Sequence, residues 1–166
     1  FLSSDFFIVF GSSYIKGDLV DFLISKKTVN IHMGLSPFYR GSDCNFWAVF
    51  DNNPHLVGAT IHLLSKGLDS GPILYHAITK LISKKNVFEY TMSSVKSAFY
   101  SIKEKLTDKT LFEIKPEFQD KSKEIRYSKS ENFTDEVIKN FFEKKIDINS
   151  KSIDLKILKR PYIFEF

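Results

Sequence analysis

Five consecutive apolar residues, Phe6-Phe7-Ile8-Val9-Phe10, stop at Gly11-Ser12-Ser13, and no other stretch restricts the fold as much. An apolar run without alternation is the pattern of a strand covered on both faces, as in a parallel sheet. Asp18 to Lys27 then carries Leu19, Val20, Phe22, Leu23 and Ile24 at helical spacing, and Thr28-Val29-Asn30-Ile31-His32 returns to β-rich composition. Strand, helix and strand in succession predict a right-handed β-α-β crossover and therefore an α/β fold. Open α/β sheets place ligands beyond the carboxyl ends of their strands, and there the chain leaves in a loop, Met33 to Gly41, that holds Gly34, Pro37 and Gly41.

Ser42 is placed to cap a helix over Asp43 to Phe50, with Trp47 on the buried side, and Asp51-Asn52-Asn53-Pro54 closes it as a turn. Val57 to Leu64 and Ile73 to Ile78 read as the two strands of a hairpin that carries Asp69 at its tip. From Asn86 to Leu106 the residues Val87, Tyr90, Val95, Ala98, Phe99, Ile102 and Leu106 recur at helical intervals, which predicts a long covering helix. Beyond Asp120 the chain turns Lys-rich and polar, with an amphipathic candidate from Asp135 to Phe142 and an apolar end, Tyr162 to Phe166. The expected division is a domain over 1–120 and a Lys-rich extension over 121–166.

At 166 residues the chain is long enough for one domain with a sizeable core. Its 24 basic residues are interspersed with 20 acidic ones, so the charge does not mark a nucleic-acid platform. One cysteine, Cys44, forms no internal disulfide, and no metal-ligand spacing occurs, which suits a reducing cytoplasm. No apolar run reaches the roughly 18 residues of a membrane-spanning helix, and the N-terminus lacks the positive region of a secretory signal. The first residue is Phe and a strand pattern begins almost at once, so the chain is expected to be part of something longer.

Asn30, His32 and Asp69 place an amide, an imidazole and a carboxylate on neighbouring strand ends. Acyl transfer needs those groups: a carbonyl that becomes tetrahedral requires donors for its oxygen, and an attacking amine must pass on its proton. Simpler readings stand beside this one for each residue. A strand ending in Asn-Ile-His is by itself a polar strand end. His62, between Ile61 and Leu63, reads as structural or outward-facing rather than as a second base, and His55 and His76 read alike. Helix capping accounts for Asp43 and Asn45, Cys44 reads as a small buried filler, and Trp47 reads as core. Arg40 is either a solvated loop charge or a receiver of an anionic group such as phosphate. Tyr14 is an aromatic that could stack on a flat ligand, and the tail lysines are read as a solvated face.

Taken together, Asn30-Ile31-His32, Tyr39-Arg40-Gly41, Trp47-Ala48, Gly58-Ala59-Thr60-Ile61-His62 and Gly67-Leu68-Asp69-Ser70-Gly71-Pro72-Ile73-Leu74 resemble the folate-dependent formyltransferase family in order and spacing. The resemblance covers about Phe6 to Lys105. It implies the second half of a Rossmann-like formyltransferase domain, a mostly parallel sheet with a β-hairpin and covering helices, the first strands and helices lying upstream. It implies 10-formyltetrahydrofolate as cosubstrate, held by Ser13, Tyr14, Ile15 and Lys16 and by Ser65, Lys66, Gly67 and Leu68. Asn30 and His32 would stabilise the oxyanion, Asp69 would set the protonation of His32, and Tyr39, Arg40 and Gly41 would meet the acceptor.

Members of the family it resembles usually read Pro-Ser-Leu-Leu-Pro after the histidine. This chain reads Met33-Gly34-Leu35-Ser36-Pro37, so a hydroxyl that could order the loop is replaced by Gly34. Among acceptors the resemblance favours a small-molecule amine, the amino group of a nucleotide-linked amino sugar. Charged initiator tRNA is less favoured, because the 46 residues after Asp120 (166 minus 120) are too few for the further domain of that branch. A deformylase, in which water replaces the amine, and an inactive remnant remain as alternatives, and a homodimer is left open.

Overall fold

The computed structural model describes residue 4 and residues 6–80, 86–148 and 151–165. The apolar run forms β1 (Ile8–Phe10), the amphipathic segment forms α1 (Gly17–Ser25) with Val20 and Leu23 buried, and the chain returns as β2 (Val29–His32). β1 and β2 are parallel, with Val9 opposite Asn30. Contrary to the expectation of cover on both faces, Ile8 and Phe10 are 41% and 43% exposed. The reason is position: β1 lies at the edge of the sheet, where Phe99 packs edge-on against Phe10.

The segment expected to be loop contains a strand, β3 (Tyr39–Gly41), before α2 (Cys44–Phe50). Ser42 does not cap α2. Asp43 takes that position at φ 57 without a side-chain cap, and Ser42 instead donates its N–H to Ser128 O at 2.9 Å. Then come β4 (Ala59–Leu63), β5 (Ile73–Thr79) and α3 (Val87–Thr107). Residues expected to be an extension supply β6 (Arg126–Ser128), α4 (Asp135–Glu143) and β7 (Tyr162–Phe164). Phe166, the last residue of the expected apolar end, lies outside the described residues.

The main sheet runs β1-β2-β4-β5-β7. Its outer pairs, β1/β2 and β5/β7, are parallel, and β2/β4 and β4/β5 are antiparallel, so the expected hairpin sits in the middle of a mixed α/β sheet. β3 and β6 form a separate parallel pair.

α3 starts at a capping box. Asn86 Oδ1 accepts from Glu89 N–H at 2.9 Å, and Glu89 Oε2 accepts from Asn86 N–H at 3.3 Å. Its buried stripe is smaller than the periodicity suggested: Ser93, Ser94, Ser97, Ala98 and Ser101 are buried, and Phe99 is exposed. Small residues let the helix approach the sheet; Ser97 Oγ donates to Ile78 O of β5 at 2.8 Å, while Ser93, Ser94 and Ser101 donate back to carbonyls of their own helix.

Two apolar clusters hold these layers. One centres on Leu35, Trp47, Val49 and Leu56, and the other on Ile31, Ile61, Leu74 and Ala98. Phe141, Ile148 and Leu158 join the first, so residues after 120 are built into the same core. Among the described residues no helix is long and apolar enough to cross a membrane.

Candidate active site

Asn30 and His32 alternate along β2 and therefore project to one face of the sheet. In the antiparallel register Asn30 lies opposite His62. Asp69 sits in the β4–β5 loop at φ 46, and its carboxylate is where the site converges. Oδ1 is 3.4 Å from His32 Nδ1, 3.5 Å from Asn30 Nδ2 and 3.9 Å from His62 Nε2, while Oδ2 accepts from Gly41 N–H at 3.2 Å. Gln119 Nε2 donates to Asp69 O and Gly71 O, each at 2.8 Å, and pins the loop. A Cβ on Gly71 would stand 1.7 Å from Leu63 O, so only glycine permits this close return of the chain.

Both ring nitrogens of His32 meet oxygens that only accept: Nε2 is 3.1 Å from Tyr39 O, and Nδ1 meets Asp69. Burial is the stronger influence and holds the imidazole below its ordinary pKa, while Asp69 and the Tyr39 carbonyl oppose it. Burial also pushes the Asp69 carboxyl upward, but His32, His62 and the Gly41 N–H outweigh it and keep the pKa low. The result is an ionised carboxylate beside an imidazole that satisfies both its neighbours when doubly protonated. Such a pair can take up a proton at the ring and stabilise it there.

His62 is not outward-facing; it is buried beside this constellation, as its structural reading allows, and it orients Asn30. It is 1% exposed, and its Nδ1 lies 2.8 Å from Leu63 O, which fixes the proton on Nδ1 and leaves Nε2 to accept from Asn30 Nδ2 at 2.9 Å. One N–H of the Asn30 amide is thereby oriented, and the other, 3.5 Å from Asp69, is weakly engaged. Period-2 alternation from Asn30 across the hairpin is the signal that could have found His62. His76 is structural: its Nε2 lies 2.8 Å from Ser36 O, and its Nδ1 accepts from Lys159 N–H at 2.9 Å.

The trio borders a cleft of about 270 Å³ whose walls include Ser13, Tyr14, Ile15, Ser65, Gly67 and Leu68. The Tyr14 hydroxyl donates to Lys66 O and ties the two walls together. The side chains of Lys16 and Lys66 stand outside the lining. Lys16 Nζ lies 5.4 Å over the Tyr14 ring, and Lys66 pairs with Asp21 at 2.7 Å. A second cavity of about 390 Å³ shares His32, Met33 and Gly41 with the first.

Two of the residues expected at the acceptor are otherwise engaged. The Tyr39 side chain is 1% exposed and accepts from Asn53 Nδ2 at 2.9 Å inside the protein, so its contribution to the site is its carbonyl. Arg40 is neither a solvated charge nor free for an anion. Nη1 pairs with Glu124 at 2.7 Å, Nη2 donates to Leu68 O at 2.9 Å, and Tyr127 lies under the guanidinium at 5.6 Å.

Gly41, at φ +91, borders both cavities, and a Cβ there would meet Ser128 O. A Cβ on Gly34 would stand 2.5 Å from Cys44 Cβ and 2.6 Å from His32 Nε2. The loop is ordered instead by Thr60, whose Oγ1 donates to Gly34 O at 2.6 Å and accepts from Ser36 N–H at 2.8 Å. Among the described residues no group of three or more His, Cys, Asp or Glu is placed to hold a metal ion.

Formyltetrahydrofolate deformylase 2, mitochondrial, of Arabidopsis thaliana is 35% identical over 69 residues, 42% of this chain and 21% of the relative. Formyltetrahydrofolate deformylase 1 of the same plant is 30% identical over 86 residues, 52% of this chain and 24% of the relative. The chain thus spans about a fifth to a quarter of these curated relatives. Among solved structures, the formyltransferase PseJ from Anoxybacillus kamchatkensis, in complex with UDP-4,6-dideoxy-4-formamido-L-AltNAc and tetrahydrofolate, has the same fold at a TM-score of 0.65. It is 24% identical, with 78% of this chain and 67% of PseJ covered. Residues 5–102, more than half of the chain, match the Formyl transferase family, and the chain belongs to it.

Proposed function

We propose that this chain carries the reaction centre of an enzyme that moves a formyl group from 10-formyltetrahydrofolate to a primary amine, the amino group of a nucleotide-linked amino sugar. The observation that carries the reading is the meeting of two cavities at His32 and Gly41, with Asn30 and Asp69 beside them. The cleft between the Ser13–Ile15 and Ser65–Leu68 walls suits the folate, since a flat ring can lie against their main-chain groups. The second cavity suits the acceptor, and the PseJ complex, which holds a tetrahydrofolate together with a nucleotide-linked sugar, supports a centre that takes two ligands.

The acceptor nitrogen attacks the formyl carbon, a C–N bond forms, and the carbonyl oxygen takes the negative charge. The weakly engaged N–H of Asn30 donates to that oxygen, and His32 stabilises it through the positive charge it gains on taking up the amine's proton beside Asp69. When the intermediate collapses, the bond from carbon to N10 breaks. The proton released by the amine is handed through the His32–Asp69 pair, or through water held on Asp69, to N10. Each oxyanion donor in such a centre is worth on the order of a hundredfold or more in turnover.

The test incubates the longest polypeptide carrying this sequence with 10-formyltetrahydrofolate and follows tetrahydrofolate release with and without nucleotide-linked amino sugars. Release that requires the amine is the expected result. Release in water alone would make the chain a deformylase, a reading favoured by the sequence likeness to the two Arabidopsis deformylases. No release under either condition would overturn both.

A further inference from the structure

We propose that the Asp51–Arg126 ion pair is a positioning device for the reaction centre: it holds β3 in the register at which the Tyr39 carbonyl meets His32 and the Gly41 N–H meets Asp69. This rests on the formyl-transfer reading and goes beyond it by giving a part in the reaction to two residues outside the constellation around Asp69. Arg126 also lies beyond residues 5–102, the stretch matched to the family.

β3 is three residues long and serves two neighbours. At one end Phe38 O accepts from Arg126 N–H at 3.1 Å, and at the other Ser42 N–H donates to Ser128 O at 2.9 Å, so the backbone groups of alternate residues face β6. Those of Tyr39 and Gly41 face the opposite way. There Tyr39 O lies 3.1 Å from His32 Nε2, and Gly41 N–H donates to Asp69 Oδ2 at 3.2 Å. A slip of β3 by one residue would turn both groups away from the reaction centre at once.

A pair of such short strands is marginal by itself, and side chains supply the missing restraint. The buried Tyr39 hydroxyl accepts from Asn53 Nδ2 at 2.9 Å and donates to Asp51 Oδ2 at 3.4 Å. Arg126 grips Asp51 in turn, with Nε donating to Oδ2 at 2.8 Å and Nη2 to Oδ1 at 2.6 Å. Arg126 stands opposite Tyr39 in the strand pair, and its guanidinium lies 4.5 Å over the Trp47 ring. Backbone and side chains thus close a ring through Tyr39, Asp51 and Arg126, and a planar bidentate fork tolerates little sliding. With 34% and 18% of their side chains exposed, the partners are shielded enough for the fork to hold its geometry.

The restraint reaches the proton. A carbonyl only accepts, so the bond to Tyr39 O keeps a proton on His32 Nε2 and leaves Nδ1, beside Asp69, as the atom that takes up the proton of the amine.

The experiment makes Asp51→Asn and Arg126→Met, with Lys144→Met as a control that removes another tie between α2 and the later chain, where Nζ donates to Phe50 O at 2.7 Å. Nitrogen NMR of the His32 ring near neutral pH, assigned with His32→Gln, reads the share of protons on Nε2. That share is expected to fall in both test variants and to stay at the wild-type value in the control. Turnover with 10-formyltetrahydrofolate is expected to fall with it, roughly tenfold or more. Asp69, His62 and Arg40, which also act on the ring, are unchanged in every variant. A direct charge effect would move Asp51→Asn and Arg126→Met in opposite senses, since one loses a negative and the other a positive charge. Arg126→Lys, which keeps the charge without the planar fork, is expected to show the same fall in the Nε2 share. An unchanged Nε2 signal in Asp51→Asn and the Arg126 variants, movement in opposite senses, or an equal change in the control overturns the inference even if formyl transfer proceeds. The expected NMR changes without formyl transfer by the wild type would remove the formyl-transfer reading and leave the positioning of His32 standing.

Discussion

His76 offers a test in which the magnitude follows from the structure. The ring is 1% exposed and wedged between β5, the Ser36 carbonyl and the Lys159 N–H. Its Nδ1 already accepts a proton-bearing nitrogen, so a second proton there would set N–H against N–H. Burial lowers the pKa from 6.5 to about 4, the Ser36 bond opposing and Lys159 and His32 adding to the shift. Since the folded value lies below the unfolded one, the unfolded chain binds the proton first as pH falls. The stabilisation is complete above about pH 6.5 and is lost progressively down to about pH 4.

At pH 5 the loss is about 1.5 pH units of protonation, or about 2 kcal/mol. The assay is urea unfolding at pH 7 and pH 5, followed by Trp47 fluorescence, for the wild type and for His76→Gln and His76→Asn. His32 is present in all three, and its own titration is common to them apart from its repulsion of a protonated His76. The wild type should lose about 2 kcal/mol more than either variant over this interval. A difference below about 0.5 kcal/mol in both comparisons would refute the account of His76 as a buried neutral acceptor.

Asp69→Asn and Asn30→Ala should each lower turnover by on the order of a hundredfold or more, with far-ultraviolet circular dichroism unchanged; full turnover in both would remove them from the reaction. Gly71→Ala must push the chain at position 71 away from Leu63 because its Cβ would stand 1.7 Å from Leu63 O, so calorimetry should show a loss of about 1–3 kcal/mol and activity should fall as the Asp69 loop shifts. Arg40→Glu should raise KM for folate by freeing the Leu68 carbonyl, and the exchange Arg40→Glu with Glu124→Arg should restore part of the loss. An exchange no better than the single variant would show that the ion pair does not hold the loop.

The parts of this fold legible in the sequence are those whose evidence is local. The apolar run of β1, the helical spacing of α1, the return at β2 and the Gly-rich tip that carries Asp69 each declare themselves within a few residues. Asn30, His32 and Asp69 were therefore visible as chemistry before they were visible as neighbours. β3 and β6 were not, because each is a three-residue strand whose partner lies far along the chain, and neither has a period of its own long enough to read. His62 was hidden for a related reason. Alone on a strand it is one alternating residue among several, and it becomes part of the site only through the register that sets it opposite Asn30. Arg40 carried a charge whose partner, Glu124, sits 84 positions away in a stretch with no pattern.

The pairing of Gly41 with Ser128 also bears on how the protein is made. Ser128 Oγ donates to Ser42 O from 86 residues downstream, and the Tyr39 carbonyl that meets His32 belongs to the same small strand pair. A ribosome adding about 5–20 residues per second takes several seconds to cover that distance. During that time the segment holding Asn30, His32 and Asp69 has emerged while its retaining strand has not. The reaction centre is thus completed late in synthesis, and a transcript cut short before the codon for Arg126 would yield a chain with every reacting group present but without the strand that pairs with Tyr39–Gly41.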